Sequence, residues 1–366
     1  MLKNITKPTL ILDKNRAITN IRQMAKKARI SDVVFRPHFK THQSAEIGEW
    51  FRKDGVQAIT VSSLEMAQYF ARNGWNDITI AFPVNLLEIP VISELAKSIR
   101  LGVLVDSDIA VKKLSEELKA LVNVWIKVDV GYGRVGIPWE QWGKIVSLAK
   151  HIQNSSNLTF EGILTHNGHS YYAQNIAEIR AVYTQAHSRL LSVKEILSTS
   201  GLRTFKVSTG DTPCCSIIDD FEGVDEIRPG NFVFYDVTQA SKGVCSYNDI
   251  AVAVACPVVG KYEERNQIVI HGGGVHLSKE FIADVEGNKL FGYLSNFCGG
   301  ESIGSVNFDA PVVSLSQEHG TVNVSGKLFE RVNIGDVVLV FPIHSCMTCN
   351  LFDEYVTLDG GRVSRI

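Results

Sequence analysis

Two clusters of side chains in this chain have the types and spacing for covalent and metal chemistry. The first is Arg36-Pro37-His38-Phe39-Lys40-Thr41-His42, directly after the β-branched run Val33-Val34-Phe35. A lysine between two histidines at the end of a buried strand can be partly desolvated and lowered in basicity, as Schiff-base chemistry requires. An ordinary surface lysine is the plain alternative. The second cluster is Pro342-Ile343-His344-Ser345-Cys346-Met347-Thr348-Cys349-Asn350. On an extended backbone His344 and Cys346 would point to one side, as two ligands of one ion should. Imidazole plus thiolate suits Zn²⁺ and leaves positions open for water or substrate. Cys346 and Cys349 also form a C-x-x-C half-site, but no second C-x-x-C exists. Cysteines packed in a β core are the bland reading of the same residues.

Four further loops follow apolar runs. Thr165-His166-Asn167-Gly168-His169-Ser170-Tyr171-Tyr172 offers His166, His169, Tyr171 and Tyr172 as acid–base or ring-contacting groups, or as a structural polar network. In Ser208-Thr209-Gly210-Asp211-Thr212-Pro213 the small residues expose backbone N–H groups and hydroxyls suited to a phosphate. Glu226-Ile227-Arg228-Pro229-Gly230-Asn231 follows another run. Asp129-Val130-Gly131-Tyr132-Gly133-Arg134-Val135-Gly136 satisfies G-x-G-x-x-G. It follows the fifth strand rather than the first, and no acidic residue closes a second strand about 20 residues on, so a dinucleotide site is disfavoured. Glycines that let a loop turn sharply, with Arg134 aimed at an anion, fit better. His271-Gly272-Gly273-Gly274 is like the oxyanion loop of some hydrolases, but no G-x-S-x-G accompanies it.

These loops need a scaffold that brings them together. Eight short runs at 33–38, 58–63, 77–82, 101–107, 122–129, 160–166, 205–210 and 225–229 are mostly apolar on both faces, as buried parallel strands are. Segments with apolar residues three and four apart separate them. The pattern predicts an α/β chain, a (β/α)8 TIM-type barrel over 8–242 whose loops after each strand carry the chemistry. A doubly wound open sheet is the alternative. Ahead of the first strand, Asp13 is placed to cap a helix with Ile18, Ile21, Met24 and Ala28 on one face. Beyond about residue 243, β runs alternate with turn residues and no helical period intervenes. Residues 243–366, with 1–7, are expected to form a β domain carrying the metal pair.

The 366 residues suffice for a barrel plus a smaller domain. A formal net charge of -2 without Lys/Arg runs argues against a nucleic-acid surface. No run reaches the roughly 18 apolar residues of a membrane span, and the start of the chain lacks a secretory apolar core. Seven scattered cysteines read as reduced thiols in a cytoplasmic protein rather than as a disulfide framework.

Taken in order, these motifs resemble the D-threonine aldolase and D-serine dehydratase group of alanine-racemase-like, fold type III pyridoxal phosphate enzymes. The resemblance runs from about residue 8 to 352 and rests on the order and spacing of the motifs. It implies a barrel holding pyridoxal 5'-phosphate on Lys40 and a β domain holding zinc or another divalent metal on His344 and Cys346. It puts the phosphate near Ser208, Thr209, Gly210, Asp211 and Thr212, Arg134 near the ring, and Tyr171 or Tyr172 beside it. His38, His166, Arg228, Gly230 and Asn231 complete the expected cofactor contacts. Lys40, His166, His169 and the two tyrosines are the expected catalytic groups. The resemblance implies a homodimer acting on a small D-β-hydroxy-α-amino acid. The thiolate at Cys346, where aldolases typically carry Asp, favours D-serine dehydration over D-threonine or 3-hydroxyaspartate aldol cleavage. A non-catalytic carrier of the cofactor fits less well, because such carriers lack the large β domain. Cys349 departs from the family pattern and leaves the coordination set open.

Overall fold

A computed structural model describes residues 5–297 and 302–366. Contacts divide the chain into two units: Gln23–Lys40 with Phe51–Gly230, and Met1–Arg22 with Thr41–Trp50 and Asn231–Ile366.

The first unit is the barrel. Its strands are Val34–Phe35, Ile59–Val61, Asp77–Pro83, Arg100–Val105, Val122–Asp129, Leu158–Leu164, Lys206–Thr209 and Glu226–Ile227. They are called the first to eighth barrel strands below; each overlaps a run expected from the sequence, the third, fourth and sixth overrunning it by one or two residues. Neighbours pair in parallel in chain order, and the eighth pairs with the first. A parallel bridge between His38 and Thr60 joins the first to the second and closes the ring.

The helices between strands start where the sequence supplies caps. Ser63, Ser107, Asn175 and Asp211 each accept a hydrogen bond from a backbone N–H in the first turn of the helix they precede. Such caps satisfy donors that the helix itself leaves unpaired. Inside the ring Leu104, Trp125 and Leu164 pack together at 1% exposure each. Toward the strand N-termini Arg36 pairs with Asp77 (2.6 Å) and Glu226 (2.9 Å), Arg100 pairs with Glu161, and Lys206 pairs with Glu161 (2.8 Å). That end of the barrel is a charge network; the other end holds the loops.

The second unit is β-rich. Strands Gln267–His271, His319–Asn323, Val306–Leu315, Gly292–Ser295, Val337–Pro342 and Val252–Tyr262 pair in that order, and the last returns to the first. The long strand Val252–Tyr262 keeps Val252 through Cys256 wholly buried. Thr9–Leu12 pairs antiparallel with it and parallel with Glu354–Thr357. Residues 8–22, 41–50 and 231–242, read from sequence as barrel, cluster with the β-rich unit. Short helices Gly274–Leu277, Gly326–Arg331 and Ser345–Cys349 interrupt it, where no helical period was expected.

Asp13 does precede a helix, Lys14–Ile30, and accepts from Arg16 N at 3.1 Å. Its buried face is Ala17, Ile21, Met24, Ala25 and Ala28, while Ile18 turns partly outward. Among the described residues no helix is long and apolar enough to cross a membrane. The six described cysteines are free thiols.

Candidate active site

Lys40 follows Phe39, a fully buried ring wedged against Phe51, Phe70 and Trp75 at centroid distances of 4.9, 5.0 and 5.1 Å. Phe39 N donates to Thr60 O (2.8 Å), His38 N to Pro229 O (2.9 Å), and Lys40 N to His38 Nδ1 (3.3 Å). The backbone entering Lys40 is therefore fixed while its side chain is exposed, not half-desolvated as the sequence suggested. His42, the other flanking histidine, is in the core. Burial and the Arg365 charge lower its pKa to about 3.

His166 ends the sixth-strand run, half-buried, with Nδ1 2.8 Å from Gly210 O. Burial, then the charges of Lys127, Lys40 and Arg134, holds its pKa well below 6.5, so its ring is neutral. His169 stacks on Tyr132, and burial lowers its pKa as well. The two tyrosines part. The Tyr171 hydroxyl accepts from Thr212 N at 3.2 Å, whereas Tyr172 is 70% exposed against Tyr132.

The loop after the seventh strand divides its labour. Asp211 caps the helix Thr212–Ile217, accepting from Cys214 N and Ser170 Oγ at 2.8 Å each. Ser208 Oγ is taken up between Glu226 (2.6 Å) and Arg228 Nε (2.6 Å), and Thr209 Oγ1 accepts from Asn167. Gly210 has φ +154°, and a Cβ there would lie 2.5 Å from Arg228 N. Arg228 is buried, donates also to Thr165 O, and has its pKa lowered by burial to about 10. Gly230 is buried at the end of the eighth-strand loop.

In the glycine loop, Gly131 N, Tyr132 N and Gly133 N all donate to Asp129, at 2.9 to 3.1 Å. The N–H groups that a dinucleotide phosphate would use are filled by the chain's own carboxylate, which removes that reading. Arg134 is exposed and lies over the Tyr132 ring at 4.9 Å.

His344 and Cys346 are neighbours, but not on the extended backbone expected. His344 is the N-cap residue of Ser345–Cys349, and Cys346 lies in that helix's first turn. His344 Nδ1 is 2.5 Å from Glu280. Burial opposes charge on this ring, yet hydrogen bonds to Cys346 and Glu280 outweigh it and raise the pKa to about 11. The Cys346 sulfur lies 3.2 Å from Thr41 Oγ1 and 3.6 Å from Asn231 Nδ2. Asn231 also donates to Asp236 (2.7 Å) and Ser345 Oγ (2.9 Å), so it belongs to this cluster rather than to a phosphate loop. Cys349 is fully buried; burial pushes its thiol up to about 12.

A family model described as alanine racemase, N-terminal domain, matches residues 12–237. The chain belongs to that family. A second model, a putative serine dehydratase domain, matches residues 251–358. The alanine-racemase-like chain is 29% identical to a D-serine dehydratase of Dictyostelium discoideum, over 98% of its own length and 95% of the relative's. It is 24% identical to a D-threonine aldolase of Arthrobacter sp., over 100% and 92%. The solved D-threo-3-hydroxyaspartate dehydratase from Delftia sp. HT23 matches at a TM-score of 0.91 and 25% identity, over 100% of this chain and 98% of that one.

Alanine-racemase-like barrels imply pyridoxal phosphate, and the residues fit an anionic guest. Lys127 is 5% exposed, and burial with the Arg228 and Arg134 charges lowers its pKa strongly. The Asp129 and Asp106 carboxylates act on Lys127 in the opposite sense but are outweighed. A dianionic phosphate and phenolate would balance that charge. The sulfur–imidazole pair, with a carboxylate behind the imidazole and the Thr41 hydroxyl and Asn231 amide beside the sulfur, likewise fits a borderline divalent cation. Sequence reasoning missed Lys127, Glu280, Thr41 and Asp236. Only Lys127 left a signal, a lone cation inside the apolar run Val122-Asn123-Val124-Trp125-Ile126-Lys127-Val128.

Proposed function

We propose that this chain is a pyridoxal phosphate-dependent, metal-assisted lyase that converts D-serine to pyruvate and ammonia. The observation that carries this reading is the contact of Thr41 Oγ1 with Cys346 Sγ at 3.2 Å. Thr41 is the residue after Lys40, so the chain itself ties the lysine to the imidazole–thiolate pair. β-Elimination needs that coupling: a base for the Cα proton and a Lewis acid for the β-hydroxyl within one substrate's reach.

In this reading Lys40 holds the cofactor, and its Nζ takes the Cα proton of the substrate. The cofactor, when bound, supplies an electron sink for the pair left at Cα. Residues 208–212 would hold the phosphate, with Tyr171 fixing Thr212 by accepting from its N–H; His38, Arg228, His166 and Arg134 would contact the ring. His344 and Cys346 would hold a divalent ion, taken to be zinc, which would supply Lewis acidity for the β-hydroxyl. Glu280 orients His344, and Asn231 Nδ2 and the Thr41 hydroxyl flank the sulfur that would ligate the ion. The working form is taken to be a cytoplasmic homodimer.

The unpartnered, neutral ring of His169 favours a second reading. As a base at the β-hydroxyl it would turn the same pocket toward Cα–Cβ cleavage of D-threonine to glycine and acetaldehyde. The test is a visible spectrum with pyruvate assayed after D-serine addition. A cofactor band lost in Lys40→Ala, with metal-dependent pyruvate release lost in Cys346→Ala, is expected. The band with glycine released from D-threonine and no pyruvate selects the aldolase; absence of the band overturns the cofactor assignment.

A further inference from the structure

The His271-Gly272-Gly273-Gly274 run has no part in the proposed site, yet it is built with care. It ends the strand Gln267–His271 and turns into the helix Gly274–Leu277 against the turn at 316–319. Gly272 N donates to Glu318 O (2.9 Å), Gly274 N to Ser316 O (2.8 Å) and Val275 N to Gln317 O (3.2 Å). A Cβ on Gly273 would lie 2.2 Å from Gln317 O. Only glycine lets the two segments come this close.

The approach brings three ligand-type side chains together. One donor atom each of His271, His276 and Glu318 lies within 4.8 Å of the others, all three residues being half-buried. Nε2 of His271 and of His276 are 3.5 and 3.8 Å from Glu318 Oε2. Four-coordinate zinc with bonds of about 2.0–2.2 Å separates its ligand atoms by roughly 3.4 Å. Both histidine–carboxylate separations are within a few tenths of an ångström of that spacing before any ion draws them in, and the two imidazoles lie within 4.8 Å of each other. A surface histidine–carboxylate pairing is the simpler account, and it leaves one fact over. His276 Nδ1 is buried with no hydrogen-bond partner, and its Nε2 is too far from Glu318 for a hydrogen bond. On this half-buried ring Nε2, 3.8 Å from Glu318, is the nitrogen open to another partner.

We propose that His271, His276 and Glu318 form a second divalent-metal site, separate from His344 and Cys346, that takes zinc with a fourth position open to water. Its place gives it a structural task. Leu277 O accepts from Thr348 Oγ1 at 3.1 Å in the helix that carries Cys346, and Glu280 follows three residues after Leu277. An ion on His276 would stiffen the segment that presents Glu280 to His344.

The test uses untagged full-length His344→Ala/Cys346→Ala protein, loaded with Zn²⁺, desalted and measured for metal per chain. One zinc per chain is expected, with a melting temperature that rises on zinc addition. Adding Glu318→Gln should weaken zinc retention by at least about tenfold and abolish that rise. Glu318 is 48% exposed in a turn, so the substitution leaves packing alone; His276→Asn should repeat the result. No retained zinc, or zinc retained equally with Glu318→Gln and His276→Asn, overturns the site.

Discussion

His344 Nδ1 and a carboxylate oxygen of Glu280 lie 2.5 Å apart. A hydrogen-bonded carboxylate behind an imidazole fixes its tautomer and leaves Nε2 as the lone-pair atom. Glu280→Gln should therefore lower metal affinity by about 10–100-fold, read as metal lost to a competing chelator. Unchanged retention would show that Glu280 is only a surface neighbour.

Gly210 stands where the loop proposed to hold the phosphate meets Arg228. Alanine would put a Cβ 2.5 Å from Arg228 N at φ +154°, forcing the loop and the Arg228 backbone apart. Gly210→Ala should weaken cofactor binding by at least about tenfold, given the 1–3 kcal/mol that such strained positions cost. A fluorescence titration of the apoenzyme with pyridoxal phosphate measures it.

Arg36 is 3% exposed between Glu226, 1% exposed, and Asp77. Removing it strands a buried carboxylate, which costs about 3–5 kcal/mol. Arg36→Met should lower the urea midpoint accordingly. A loss under about 1 kcal/mol would mean that Glu226 protonates or finds Arg228 at little cost.

His42 supplies a pH dependence. Its folded pKa of about 3 lies below the ordinary 6.5, so the unfolded chain binds the extra proton between those values. Its contribution is full above pH 6.5 and is lost as pH falls toward 3, a loss on the order of a few kcal/mol. Denaturant midpoints taken from pH 7 to 4 should fall less steeply in His42→Gln than in the parent. Parallel slopes would assign acid sensitivity to other groups.

Sequence pattern carried the barrel well, because strands buried on both faces have a texture that amphipathic helices lack. All eight strands lie where Val33-Val34-Phe35, Val122–Asp129 and the other runs put them. What it could not carry was pairing at a distance. Thr9–Leu12 looks like a lead-in to the barrel, and only its partners at 252–255 and 356–357 make it part of the β-rich unit. The same blindness hid Glu280, 64 residues from His344. Local geometry misled once, when the spacing of His344 and Cys346 suggested a strand and a helix cap brought them together instead. It misled again at Ser208 and Asp211, whose side chains serve Glu226, Arg228 and a helix start.

The position of Thr9–Leu12 also dictates an order of events during synthesis. This strand leaves the ribosome about 240 residues before its antiparallel partner Val252–Tyr262 and well before its parallel partner Glu354–Thr357. Until then the nascent chain carries an apolar edge whose backbone groups have no native ladder, the kind of segment that invites pairing with the wrong chain. A long-lived nascent form of this protein should depend on chaperones more than its finished stability would suggest, and that dependence should end with the last strands.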